Sequence, residues 1–300
     1  MKTRAGGGTR RRTEFPPLLR ARRHAAGMLL ALLGFGGSAA EAARLRVVSL
    51  APSLTELAYA AGAGDALVAT VEYSDYPAAA RALPRVGDAW RVDVERVLAL
   101  RPDLVLAWAS GTPRETIDTL ESLGLKVASI ATYRLADVPA ALRQVGRIAG
   151  TPAVAEDAAS RFETSIRNLA RAHGDAPVLS VFIQIDDEPL YTVNGRHVMS
   201  EVVELCGGRN VLADLPQLAP PVSLEAVLAL DPQVILSTDD TIADPHAIWR
   251  RWPHLTAVRA GTIYTLSPDT LTRPTPRLAE GARAVCAALD DARARAKGGN

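Results

Sequence analysis

One segment of this chain occurs twice. Residues 92–108 read VDVERVLALRPDLVLAW and residues 222–238 read VSLEAVLALDPQVILST, so Glu95 aligns with Glu225, Leu100 with Leu230 and Pro102 with Pro232 at a single offset of 130. Each copy predicts a short helix, a turn at the proline and an apolar strand. A second echo relates Glu56, Gly62 and Leu67 to Glu201, Gly207 and Leu212 at an offset of 145. Offsets that differ by an insertion imply two lobes built on one plan. Paired lobes enclose a cleft, and clefts bind ligands.

Short continuous apolar runs recur at Arg46–Ala51, Leu104–Trp108, Val127–Ile130, Val178–Ile185, Val234–Leu236 and Ile263–Leu266. Runs of this kind suit parallel strands buried on both faces. Helical patterns alternate with them, and Thr55–Ala61 reads as a helix closed by Gly62 and Gly64. The result is an α/β chain of two Rossmann-like lobes. Between the lobes, Thr151 and Pro152 open the stretch AVAEDAASRFETSIRNLARAHG, which has few strand or turn residues before Gly174. It predicts one helix about 30 Å long, enough to join two lobes. The expected boundaries are an N-terminal lobe over 44–150, an inter-lobe helix over 151–174, a C-terminal lobe over 175–290 and a disordered tail over 291–300.

The near-neutral total charge hides an uneven distribution. Residues 1–43 hold eight cationic and two acidic side chains, which leaves the remainder near −5. A mildly acidic body lacks the clustered cations that nucleic-acid binding requires. The basic start runs into an uncharged stretch, Ala25–Ala40, and then into SAAEAARL. That order predicts a secretory signal peptide over residues 1–42, cleaved after Ala40 or Ala42. Cys206 and Cys286 both lie in the exported part, where an even count favours one disulfide. Neither cysteine follows the signal directly, so a soluble periplasmic protein is expected rather than a lipid-anchored one.

Enzyme signatures are weak. The chain has no phosphate-binding GxxxxGK[ST], no GxSxG nucleophile elbow and no HExxH zinc motif. His173, His197, His246 and His254 lack metal-ligand spacing, so no metal site is expected. The aromatics are more informative. Tyr73 and Tyr76 sit in EYSDYP, Trp90 in GDAWRVD, Trp108 at a strand end and Tyr191 in EPLYTVNG. Ligands of doubly wound sheets bind beyond the carboxyl ends of strands, and there such rings suit a large, ring-rich ligand. Trp249 and Trp252 fall in a polar helical stretch and are assigned to packing. Asp93 and Ser223 read as helix N-caps, which puts Glu95 and Glu225 in first turns. From the residues alone, that pair either complements helix dipoles or meets two basic patches on a partner.

Taken together, LAPSLTELAYAAG, YSDYP, VERVLALRPDLVLAW, ELCGGRNV, VSLEAVLA, SPD and PRLAEGARAVCAAL resemble the cobalamin-binding branch of the helical-backbone (class III) solute-binding proteins of bacterial ABC importers. The resemblance covers Arg46 to about Leu289. The ERVLALRPDLV-type segment is shared with haem and iron-siderophore receptors of the class, whereas the YSDYP turn and the cysteine pair narrow it. It implies a monomeric periplasmic receptor, not an enzyme, with cobalamin (vitamin B12) or a related corrinoid as cargo rather than catalyst. It implies corrin contacts at Tyr73, Trp90, Trp108, Tyr191 and Asp269, permease docking through Glu95 and Glu225, and a Cys206–Cys286 disulfide. In a haem or iron-siderophore receptor, Tyr73 or Tyr76 would be an iron ligand; a two-lobed exported enzyme is the third reading. Two departures touch the ligand rim: Ala219, followed by Pro220 and Pro221, stands where the family has a tryptophan, and the loop after Trp90 is one residue shorter.

Overall fold

Leucine- and valine-rich runs form the centre of both lobes. In the first, β1 (Val47–Ser49), β2 (Leu67–Ala69), β3 (Leu104–Trp108) and β4 (Val127–Ile130) make a parallel sheet in the order β2-β1-β3-β4. Helices α1 (Pro52–Ala60), α2 (Val94–Ala99), α3 (Arg114–Ser122) and α4 (Asp137–Ala149) connect or flank these strands, and α5 (Pro152–His173) follows. The computed structural model describes residues 45–88, 90–238, 244 and 246–298. The expected export signal over residues 1–42 lies outside the described residues. Among those described, no helix is long and apolar enough to cross a membrane.

The second lobe repeats the plan. Its strands are β5 (Leu179–Gln184), the two-stranded hairpin β6 (Asp186–Asp187) and β7 (Leu190–Tyr191), then β8 (Gly208–Asn210), β9 (Val234–Ser237) and β10 (Ile263–Thr265). Its helices are α6 (Val198–Leu205), α7 (Leu224–Leu230), α8 (Ala247–Arg250), α9 (Thr256–Ala260), α10 (Pro268–Leu271) and α11 (Leu278–Gly298). The main sheet runs β8-β5-β9-β10, all parallel. Strand for strand this is the order of the first sheet. The repeated sequence segment is α2-β3 in one lobe and α7-β9 in the other.

Each sheet buries both faces, as continuous apolar strands require. The outer face of the first lobe packs Val48, Leu50, Val97, Val105 and Leu120; that of the second packs Phe182, Val227, Ile235, Trp249 and Leu255. The inner faces share a single cluster. It runs from Leu54, Leu57 and Leu142 through Ala155, Ala159 and Phe162 of α5 to Val202, Val203, Val285 and Leu289. Helix α5 is therefore a shared wall between the lobes, and its 22 residues span about 33 Å. Alanines at its buried positions let α4 and α11 approach closely. Arg143 of α4 adds ion pairs to Glu156 and Glu163 of α5 at 2.8 and 2.7 Å.

Cys206, at the end of α6, is disulfide-bonded to Cys286 of α11. Arg293, about two turns further along α11, donates to the carbonyls of Cys206, Gly207 and Pro177 at 2.7, 3.0 and 2.9 Å. Asp291 accepts from the Tyr264 hydroxyl at 2.7 Å. These anchors correct the expected tail over 291–300: residues 291–298 continue α11. Two smaller corrections apply. Gly62 follows α1 in the left-handed conformation expected of a helix end, but Gly64 begins the next 3-10 turn. Trp249 is fully buried, edge-on to Phe182 and bonded to Gln184 Oε1 at 2.8 Å, whereas Trp252 is 39% exposed because α8 ends before it.

Candidate functional site

The first rim is built on a buried hydroxyl network. Thr55 Oγ1 lies 2.6 Å from Thr70 Oγ1, which donates to Ser74 Oγ at 2.7 Å. Arg85 donates to the Ser74 carbonyl at 3.0 Å and to those of Ala80 and Leu83. With Thr70 and Ser74 pinned inward, the YSDYP turn throws its rings outward. Tyr73 is 77% exposed, and its φ of 62° is a left-handed conformation rare for an aromatic residue. Such strain, of order 1–3 kcal/mol, persists where surrounding contacts over-determine it and clusters at ligand sites.

Trp90 stands beside this turn on a tight hairpin. Gly87 pairs with Val92, and Glu72 N donates to the Gly87 carbonyl at 2.9 Å, tying the hairpin to the YSDYP segment. Gly87 has a φ of 116°, and a Cβ there would lie 2.1 Å from the Arg91 carbonyl oxygen, so only glycine closes this turn. Asp88 Oδ1 accepts from the amides of Trp90 and Arg91, both at 2.7 Å, and these bonds hold its carboxyl below the usual carboxylate range. The indole of Trp90 is 69% exposed.

Trp108 ends β3. Its ring lies against the Gly111 backbone, where a Cβ would come within 1.8 Å of the indole. Its Nε1 is buried and has no hydrogen-bond partner. Three other side-chain atoms share that condition among the described residues: Thr132 Oγ1, Gln184 Nε2 and Ser237 Oγ. All four residues stand at, or within two residues of, the carboxyl ends of β3, β4, β5 and β9. Unused polar capacity therefore collects where open α/β sheets bind their ligands.

On the second lobe Tyr191 belongs to the β6–β7 hairpin. A strap over residues 218–222 runs beside it, with Val222 N donating to Leu190 O at 2.8 Å, Thr192 N to Pro220 O at 3.2 Å and Asn194 N to Leu218 O at 2.9 Å. This strap holds Ala219, Pro220 and Pro221. Tyr191 is half-buried, and Leu218, the largest exposed apolar side chain of the strap, is 47% exposed. A cavity of about 490 Å³, lined by Tyr133, Arg134, Gly195, Arg196 and Leu218 among others, lies between this strap and the end of β4.

Charged groups join the lobes beneath the rims. Arg273 lies 3.2 Å from each of Asp269, Asp75 and Glu56, so Asp269 of the second lobe is bridged to the YSDYP turn of the first. Arg277 places its guanidinium 4.2 Å from the centre of the Tyr76 ring. Burial pushes the Glu56 carboxyl above the usual range, while the Thr275 hydroxyl and the two guanidiniums pull it back. His197 caps α6, its Nδ1 accepting from Met199 N at 3.2 Å; burial lowers its pKa to about 4, which keeps the ring neutral and able to accept.

Glu95 and Glu225 occupy the first turns of α2 and α7. Asp93 Oδ1 accepts from Arg96 N at 2.9 Å and Ser223 Oγ from Ala226 N at 3.2 Å, so both helices are capped as the sequence predicts. Both glutamates are exposed, with no ion-pair partner among the described residues. Each of these helices leads through a turn into a central strand, which puts its N-terminus on the carboxyl-end side of its sheet.

Hydrogen bonds and ion pairs thus link Trp90, the Tyr73 turn and Asp269 into one assembly, and Trp108 ends a strand of the same sheet. No described contact joins Tyr191 to that assembly; it is tied to the strap instead. The described cavities are not lined by these five residues. Sequence reasoning missed Arg273, Arg277, Gln184 and Ser237. Only the arginines left a signal, as two cations flanking the threonine of RPTPR.

A family profile described as periplasmic binding protein matches residues 47–270. A vitamin B12-binding protein from Vibrio cholerae is 38% identical over 245 residues, covering 81% of this chain and 88% of that one. The crystal structure of a periplasmic vitamin B12 binding protein of Vibrio cholerae superposes with a TM-score of 0.78 at 38% identity, covering 83% of this chain and 97% of that one. A periplasmic heme-binding protein from Roseiflexus superposes at 0.73 with 26% identity, covering 83% and 98%.

Proposed function

This chain belongs to the family of periplasmic binding proteins, and from that premise we propose that it is the soluble substrate-binding component of an ABC importer, capturing cobalamin or a related corrinoid between its lobes. The observation that supports this most is the pair of rings, Tyr73 and Trp90, held outward on turns fixed by the buried Thr70–Ser74 hydroxyls and by the Asp88 carboxylate. Rigid, exposed aromatics lose little entropy on binding and suit the flat, partly apolar face of a macrocycle. Trp108 and Tyr191 add further rings from the two sheets. Asp269, already oriented by Arg273, supplies an acceptor for amide side chains of the ligand. The corrinoid is cargo, so the reading assigns no catalytic residue and no catalytic cofactor. The vitamin B12-binding relatives support this ligand over haem.

A haem receptor, the alternative that the Roseiflexus structure resembles, would use a tyrosine as an iron ligand. Tyr76 is poorly suited, because Arg277 covers its ring. Export to the periplasm, through the predicted signal over residues 1–42, is part of the same proposal. So is a monomer that meets the inner-membrane permease through Glu95 and Glu225, one carboxylate per lobe. Reversing both charges, Glu95→Arg with Glu225→Arg, is expected to leave equilibrium corrinoid binding unchanged and to depress uptake in cells that depend on this receptor. Uptake at the wild-type rate would reject the docking role, and lost ligand binding would place the glutamates in the cleft instead.

A further inference from the structure

The repeat places two glutamates at equivalent positions, Glu56 on α1 and Glu201 on α6, and each reaches into the opposite lobe. Glu56 accepts from Thr275 Oγ1 at 2.9 Å, from Arg273 at 3.2 Å and from Arg277 at 3.4 Å. Those three partners lie between β10 and α11. Glu201 accepts from the Leu135 amide at 2.8 Å and from Arg134 at 3.3 Å. Those two lie between β4 and α4. The receiving segments are themselves equivalent, since β4 and β10 hold the same edge of their sheets and α4 and α11 follow them. One interaction is therefore made twice, in opposite directions, across the approximate two-fold that relates the lobes.

The two copies differ in burial. The Glu56 side chain is 2% exposed and its two arginines 19% and 17%. The Glu201 side chain is 26% exposed and Arg134 71%. Separating a buried charge from its partners strands it away from water, whereas water can replace the partners of a half-exposed one. Beside each contact lies a cavity lined by both lobes, about 360 Å³ at Glu56 and about 450 Å³ at Glu201. A small rotation about α5 has space at both sites, but resistance mainly at one.

We propose that Glu56 and Glu201 are positioning residues that form a reciprocal pair of inter-lobe clasps: the buried Glu56 clasp is the pivot, and the half-exposed Glu201 clasp sets how far the lobes can part. The proposal concerns the receptor before any ligand enters. It holds whichever ligand the cleft takes, so its failure would leave the corrinoid reading intact.

Pulsed dipolar spectroscopy on the ligand-free protein tests it. Spin labels would be attached at the exposed positions Ser122 and Arg209 through encoded reactive amino acids, with the disulfide left intact. Glu201→Ala is expected to broaden the inter-lobe distance distribution by roughly a factor of two. Glu201→Gln, which can still accept from the Leu135 amide, should return it to the wild-type width. Glu56→Gln should lower the melting temperature more than Glu201→Ala does. An unchanged width in Glu201→Ala, a failure of Glu201→Gln to restore it, or the reverse order of melting temperatures would each overturn the proposal.

Discussion

The two lobes share a strand order, a helix plan and a capped glutamate helix, yet they are not held or finished in the same way. In the first lobe, α1 is secured by Glu56, whose buried carboxylate gathers two arginines and a threonine from the other lobe. In the second, α6 is secured by a covalent bond to α11 and by Arg293 on its last carbonyls. The equivalent of Cys206 at the repeat offset is Ala61, buried against the shared core. The rims diverge as well. The first presents Tyr73 and Trp90, and the second presents Tyr191 beside a strap of Leu218, Ala219 and prolines. Duplication preserved what burial on both sheet faces demands. It left free the means of anchoring each first helix and the chemistry at each rim, and there the lobes acquired different tasks.

Stability should show this asymmetry most strongly. Glu56→Ala removes the buried acceptor shared by Thr275, Arg273 and Arg277, leaves the arginines only Asp75 and Asp269 as partners, and is expected to cost about 3 kcal/mol. Glu201→Ala loses a charged acceptor of one amide in a wetter setting and should cost about 1–2 kcal/mol. Urea unfolding of both variants measures the difference, and equal losses would mean that the clasps are energetically alike despite their burial.

A smaller effect is expected at the rims. Trp90→Ala should weaken corrinoid binding by about 2 kcal/mol, as is common for an aromatic anchor at a ligand site. Tyr191→Ala should weaken it by about 1 kcal/mol, because its half-buried ring offers less free face. Calorimetric titration of the two variants ranks them. If Tyr191→Ala proved the more damaging, the second rim would be the main wall of the site.

Much of this architecture was legible along the chain. β3 and β4 match their apolar runs residue for residue, because Pro102–Asp103 and Gly124 punctuate them sharply. Asp93 and Ser223 cap helices as read, since a short side-chain acceptor ahead of an apolar period has few other uses. The long helix was visible from the scarcity of strand and turn residues between Pro152 and Gly174. Three of the short strands, β6, β7 and β8, lie outside any continuous apolar run and could not be seen. Nor could the clasp partners: Glu56 and Thr275 are 219 residues apart, and only tertiary packing brings them together. The repeat hinted at Glu56 and Glu201 as a pair without saying what either touches. The helical end of α11 was missed because its anchors, Asp291 to Tyr264 and Arg293 to the α6 carbonyls, are also long-range.

The central claim is that the cleft takes a corrinoid, and a paired titration tests it most directly. Purified protein would be titrated in parallel with cyanocobalamin and with haem, each followed by its own absorption spectrum. The account predicts saturable one-to-one binding of the corrinoid, with haem binding far more weakly or not at all. Saturable haem binding with a tyrosinate-type spectrum, and no response to the corrinoid, would contradict it.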